Sequence, residues 1–110
     1  MTHLNNLIEI YIPDSMEANG EVVKVPKVEF DIVHDEIKDI ILSKCSGYSE
    51  RWETGYYQVG KRVNEMRNLV VYAYYPDTVS FNLDMIHTLI NEVLSQKCSM
   101  VCINHKAEIA

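Results

Sequence analysis

Residues 47–76, GYSERWETGYYQVGKRVNEMRNLVVYAYYP, constrain what this chain can fold into more than any other stretch. Trp52, Thr54 and Tyr56 alternate with Arg51, Glu53, Gly55 and Tyr57, the period-two pattern of a strand. Val59-Gly60-Lys61 supplies a tight turn, with glycine available for a positive φ angle. The return strand runs from Arg62 to Tyr75, and its second half, Leu69-Val70-Val71-Tyr72-Ala73-Tyr74-Tyr75, is apolar on both faces, as central strands covered on both sides are. Pro76 stops it. A long hairpin of this kind, holding Trp52 and most of the tyrosines, must be built into a larger sheet to be stable.

The flanking segments supply that sheet and its cover. Ile8, Ile10 and Ile12 alternate with Leu7, Glu9 and Tyr11, which predicts a first strand ended at Pro13-Asp14-Ser15. Asn19-Gly20 marks a turn, and Glu21 to Val25 reads as a short edge strand. Past Pro26, Phe30, Val33, Ile37, Ile40 and Ile41 recur at spacings of three and four, predicting a helix that runs to Ser46 and ends at Gly47. After the hairpin, Asp77 or Ser80 is placed to cap a second helix. Its inner stripe is Val79, Ile86, Ile90 and Val93. Ser99 to Asn104 then reads as a last strand, with the tail from His105 free to pair further or fray.

The order strand, helix, strand, strand, helix, strand predicts an α+β, ferredoxin-like βαββαβ sandwich over residues 1–110. It has a four-stranded antiparallel sheet with two helices on one face. At 110 residues the chain is expected to form a single domain. Its apolar content of 47% and charged content of 24% are those of an ordinary globular protein.

Charge narrows the function classes. Sixteen acidic against ten basic residues give a net charge of −6. That argues against nucleic-acid binding, which needs a basic stripe to displace counterions from phosphates. No apolar run reaches the ~20 residues of a membrane span, and Glu9 interrupts the short N-terminal one. The expected partners therefore include neither nucleic acid nor membrane, and the expected compartment is the cytoplasm. Cys45, Cys98 and Cys102 are odd in number and read as free thiols packed as small hydrophobes. Cys98-x3-Cys102 is a poor match to zinc-ligand spacing, so no metal is expected. No glycine-rich phosphate loop is present, and no cofactor is predicted. His34 and His87 read as ordinary surface histidines on their helices. Glu50, Glu53 and Glu65 with Arg51, Arg62 and Arg67 read as cross-strand ion pairs, although an active-site Arg–Glu pair would look the same in sequence.

The sheet face away from the helices is the candidate site. Tyr11, Trp52, Tyr57, Tyr72 and Tyr74 are expected to line it, with His105 reaching it from beyond the last strand. A half-apolar aromatic face is rarely left bare. The leading expectation is burial against a second copy, a homodimer acting as a binding or regulatory interaction module. A small-molecule pocket, as in a small enzyme of the dimeric α/β-barrel type, is the second reading. An acidic inhibitor of a nucleic-acid enzyme is the third. No catalytic residue is assigned.

The run Ile8-Glu9-Ile10-Tyr11, then a helix, Gly47, Gly55-Tyr56-Tyr57, Gly60, Glu65, Val70-Val71 and Pro76-Asp77 resembles a family of small bacterial proteins known as a domain of unknown function. The resemblance spans about Leu7 to Ile103 and implies the same ferredoxin-like topology. Tyr57 stands where that family tends to have tryptophan, and Tyr75 replaces the histidine before Pro76. The resemblance transfers no catalytic residue.

Overall fold

A computed structural model describes residues 1–110. The main sheet has five antiparallel strands in the order β4-β5-β1-β6-β7, and β2-β3 forms a separate hairpin. The strands are β1 (Asn6–Pro13), β2 (Ser15–Ala18), β3 (Glu21–Lys24), β4 (Ser49–Val59), β5 (Arg62–Tyr75), β6 (Met100–Ile103) and β7 (Lys106–Ile109). The helices are α1 (Lys27–Leu42) and α2 (Leu83–Val93). The α+β class and the two helices stand as the sequence predicts. The four-stranded sheet is corrected to five, because the tail does not fray: Ser99 and Ala110 exchange backbone hydrogen bonds of 2.8 and 3.1 Å, closing β6 and β7 into a ribbon.

The register fixes which residues face the helices. Ile8, Ile10 and Ile12 oppose Ala73, Val71 and Leu69, and Ile10 opposes Val101 on its other side. These side chains meet Val33, Ile37 and Ile41 of α1 and Ile86 and Ile90 of α2 in one apolar core. Full burial of each such aliphatic chain contributes about 1.5–3 kcal/mol, so this layer carries most of the folding free energy.

Several boundaries differ from the sequence reading. Helix α1 ends at Leu42, and the amides of Ser43 and Cys45 bond back to Asp39 and Ile41, so the chain leaves the helix well before Gly47. Helix α2 is capped by neither Asp77 nor Ser80: the Asn82 side chain accepts from the Met85 amide at 3.1 Å. The segment after Pro13 reverses into β2, and Glu21–Lys24 pairs with it rather than with the main sheet edge. Asn19 and Gly20, at φ +53 and +80, form the tight turn between them.

The β4-β5 hairpin reaches well past the helices, which makes the molecule elongated, 51 × 28 × 22 Å. Gly60 turns it with φ +61. Among the described residues, no helix is long and apolar enough to cross a membrane.

Candidate functional site: the open sheet face

Beyond the helices, the opposite face of the sheet is built from the other half of each alternation. Leu7, Glu9 and Tyr11 of β1 oppose Tyr74, Tyr72 and Val70 of β5. Arg51 and Glu53 of β4 oppose Val70 and Asn68, and Cys102 of β6 opposes Glu9. Four sequence-predicted residues, Tyr11, Tyr57, Tyr72 and Tyr74, therefore lie on this face. Trp52 does not. It opposes Leu69 on the helix side, where its ring stacks on Phe30 of α1 at 6.0 Å and Arg67 lies over it at 4.7 Å. The sequence pattern gave the alternation but left its phase open, and α1 decided it by covering Trp52.

Glu9 occupies the middle of the face. It is only 7% exposed, because β5 and β6 flank it and long side chains cover it. A carboxylate this buried needs partners for its charge. Arg51 Nη2 donates to Glu9 at 2.6 Å, and Arg51 Nε donates to Glu53 at 2.8 Å. The guanidinium also lies 5.0 Å from the Tyr72 ring centre. These bonds, to Glu9 first and Glu53 second, hold the Arg51 pKa above its already high ordinary value. The three groups carry one negative charge in excess.

His105 completes the cluster through an unusual turn. Asn104 and His105 have φ +51 and +66, so both central residues of the β6-β7 turn are left-handed without either being glycine. Asn104 holds the turn against β1. Its amide donates to the Leu7 carbonyl at 2.9 Å, and its side-chain oxygen accepts from the Leu7 amide at 2.8 Å. His105 Nδ1 then lies 3.7 Å from the second carboxylate oxygen of Glu9. Tyr11 and Cys102 feel the same acids. Burial pushes the Tyr11 phenol above its ordinary value, and Glu53 and Glu9 push it further. Burial followed by Glu9 and Glu53 does the same to Cys102.

A cavity of about 260 Å³ adjoins the cluster. Tyr11, Tyr57, Met66 and Asn68 wall it on the sheet side, and residues 95–100 with Ile109 close the other side. Tyr11 is common to cluster and cavity, so the two form one continuous surface. Gly55 shapes the wall: a Cβ there would sit 3.0 Å from the Tyr57 ring, so glycine lets that ring fold back over β4.

Sequence reasoning grouped Arg51 and Glu53 with surface ion pairs and did not single out Glu9, Asn68 or Gly55. The available signal was Glu9 itself, a carboxylate between Ile8 and Ile10 in an otherwise apolar strand. His87 is corrected from a surface residue to a buried one, 3% exposed. Its Nδ1 lies 2.7 Å from Ser99 Oγ and its Nε2 3.0 Å from Glu108, tying α2 to the C-terminal ribbon. His34 is half-buried and bonded to Glu50. Of the cysteines, Cys102 is buried, Cys45 half-buried and Cys98 exposed at the cavity rim, so the expectation of buried packing fails for Cys98.

Comparison with known proteins places this fold. The chain is similar to a phage SAM lyase solved in complex with S-methyl-5'-thioadenosine, with a TM-score of 0.62 and 13% identity over 96% of this chain and 88% of that one. It is also similar to a phage SAM lyase in the apo state, with a TM-score of 0.58 and 12% identity over 100% of this chain and 94% of that one. No family model matches the chain, and no curated protein sequence matches it. The resemblance to the bacterial family of unknown function is therefore corrected: its spacings of glycine and tyrosine are those of a long hairpin with a tight turn. The homodimeric interaction module, the dimeric α/β-barrel enzyme and the acidic inhibitor are corrected with it. The two solved structures to which the chain is similar over nearly its whole length are of phage SAM lyases, one holding S-methyl-5'-thioadenosine, and none of the three readings describes such a protein.

Proposed function

We propose that this chain is a lyase that cleaves S-adenosylmethionine, releasing S-methyl-5'-thioadenosine, on its open sheet face. The observation that carries the reading is the fold shared with a phage SAM lyase over nearly the whole of both chains. The chemistry of the open face suits it. The substrate is a sulfonium with an ammonium and a carboxylate, one positive charge in total, and the Glu9–Arg51–Glu53 group carries one negative charge in excess.

In the proposed step the bond between sulfur and the γ-carbon of the amino-acid chain breaks, and its electron pair goes to sulfur. The sulfonium becomes a neutral thioether. The carbon left behind is satisfied either by loss of a β-proton to a base or by closure of the substrate's own carboxylate onto it, and the identity of the second product separates the two. Charge disappears at sulfur in the transition state, so a strong anionic contact to sulfur would stabilise the ground state more than the transition state and slow the step. Aromatic faces such as Tyr72 and Tyr11 suit it better. They hold a cation through their quadrupoles and replace water with a less polar surrounding, which favours loss of charge. The acids then serve the ammonium. Arg51 uses two of its five N–H donors on the glutamates, leaving others for the substrate carboxylate.

The test is incubation of the purified protein with S-adenosylmethionine and chromatographic analysis of the products. Stoichiometric S-methyl-5'-thioadenosine is expected from the wild type. A folded wild-type protein that yields none overturns the reading.

A further inference from the structure

Asn68 is a buried polar residue outside the charged cluster. It is 5% exposed and lines the cavity. Among the described residues the buried side-chain atom left without a hydrogen-bond partner is Asn91 Oδ1, so the Asn68 carboxamide is not shut away from water, and at the cavity wall it is open to a ligand. Asn68 sits opposite Glu53 across the β4-β5 pair, at the edge of the charged cluster.

The surroundings define what fits. The cavity, about 260 Å³, lies just below the ~300–1,000 Å³ usual for whole ligands, so it takes one compact part of a larger molecule. Two of its walls are tyrosine rings, Tyr11 and Tyr57, and Met66 adds a polarisable apolar contact. A Cβ at Gly55 would press on the Tyr57 ring at 3.0 Å, so glycine gives that ring room to lie where it does. Aromatic walls and one inward carboxamide are the elements that recognise a purine: the rings stack on its face, and asparagine pairs with the N6 and N7 edge of adenine, accepting from the first and donating to the second.

We infer that the cavity is an adenine subsite in which Asn68 reads the N6/N7 edge while Tyr57, positioned by Gly55, stacks on the base. The inference rests on the lyase reading for the identity of the ligand. The adenosyl group would fill the cavity, and the sulfonium and amino-acid end would lie along the face towards Glu9, Arg51 and Tyr72.

Calorimetric binding of S-methyl-5'-thioadenosine tests it without turnover, with the inosine analogue as second probe. In the analogue the C6 substituent changes from donor to acceptor, and Asn68 can satisfy only one of two neighbouring acceptors. The wild type is expected to prefer the adenine ligand by about tenfold or more. Asn68→Leu is expected to lose that preference along with affinity, and Gly55→Ala to weaken both ligands by displacing Tyr57. Equal binding of the two ligands by the wild type, or unchanged selectivity in a folded Asn68→Leu, overturns the subsite. If the wild type cleaves S-adenosylmethionine but Asn68→Leu keeps its selectivity, the subsite falls and the lyase reading stands. If the wild type binds the adenine ligand through Asn68 yet cleaves nothing, the lyase reading falls and the subsite stands. A wild type that binds neither probe overturns the subsite directly.

Discussion

The two faces of the sheet are built from alternate residues of the same strands and differ in almost every physical respect. Ile8, Ile10 and Ile12 are fully buried against two helices in a layer made mostly of aliphatic side chains. Leu7, Glu9 and Tyr11, their immediate neighbours, look onto a surface with no helix over it, where a buried carboxylate, a guanidinium and several phenols meet. One face accounts for stability and the other holds chemistry whose partners are only partly supplied by the chain. Adjacent residues of one strand therefore serve separable purposes, and substitutions at neighbouring positions should separate them.

The sharpest contrast pairs Ile10 with Glu9. Ile10→Ala is expected to lower unfolding free energy by about 2–5 kcal/mol, since it leaves a cavity in a close-packed layer. Its cleavage activity per folded molecule should stay near wild type. On the proposed lyase reading, Glu9→Gln keeps the shape and should lower S-adenosylmethionine cleavage at low substrate concentration by about tenfold to a hundredfold, since it removes a charged partner of the substrate ammonium. Denaturant titration and product release, measured on both variants, would break the comparison if Ile10→Ala lost turnover specifically or Glu9→Gln kept it.

Arg51→Met should come next in size. It leaves the carboxylate of Glu9 without its strongest partner, at a cost of about 1–3 kcal/mol moderated by the partial exposure of Arg51. Stability that rose instead would mean that the cluster is held together at the expense of folding. His105→Gly is expected to act in the opposite direction. Relief of the left-handed conformation should raise stability by about 1 kcal/mol, while removal of the imidazole beside Glu9 reduces turnover. A variant that is both less stable and fully active would show that His105 belongs to the fold rather than the site.

Trp52→Ala tests the assignment of faces. Trp52 is half-exposed yet packs on Phe30 and Arg67, so its loss should lower stability by about 1 kcal/mol and leave ligand binding on the open face untouched. The smallest effect concerns pH. The folded-state pKa of Tyr11 is raised above its ordinary 10.0, so the folded form holds the phenol proton more tightly than the unfolded chain. That contribution is complete below pH 10 and is lost as pH rises through the folded-state pKa. Tyr11→Phe should flatten this alkaline part of the stability curve, and phenolate absorbance should show the late titration in the wild type.

Local pattern determined a good deal of this protein. Period-two alternation located β1 and the long hairpin, spacings of three and four located both helices, and Gly60 marked the turn, because each of these is set by residues close in sequence. Boundaries were less legible: Gly47 could end a helix, but Ser43 and Cys45 had already closed α1 with their own amides. Four of the tyrosines and tryptophan assigned to the open face do lie there, while Trp52 lies opposite, since alternation defines two sets and packing against α1 chooses between them. Asn68, the Glu9–Arg51–Glu53 group and the return of the tail as β7 were decided only in three dimensions. Glu9 and Arg51 are 42 residues apart and meet through the β1-β5-β4 register, and His105 reaches them because Asn104 fastens its turn to Leu7. Sequence sets which side chains can share a face; the register between distant strands sets which of them touch, and the site depends on that second relation.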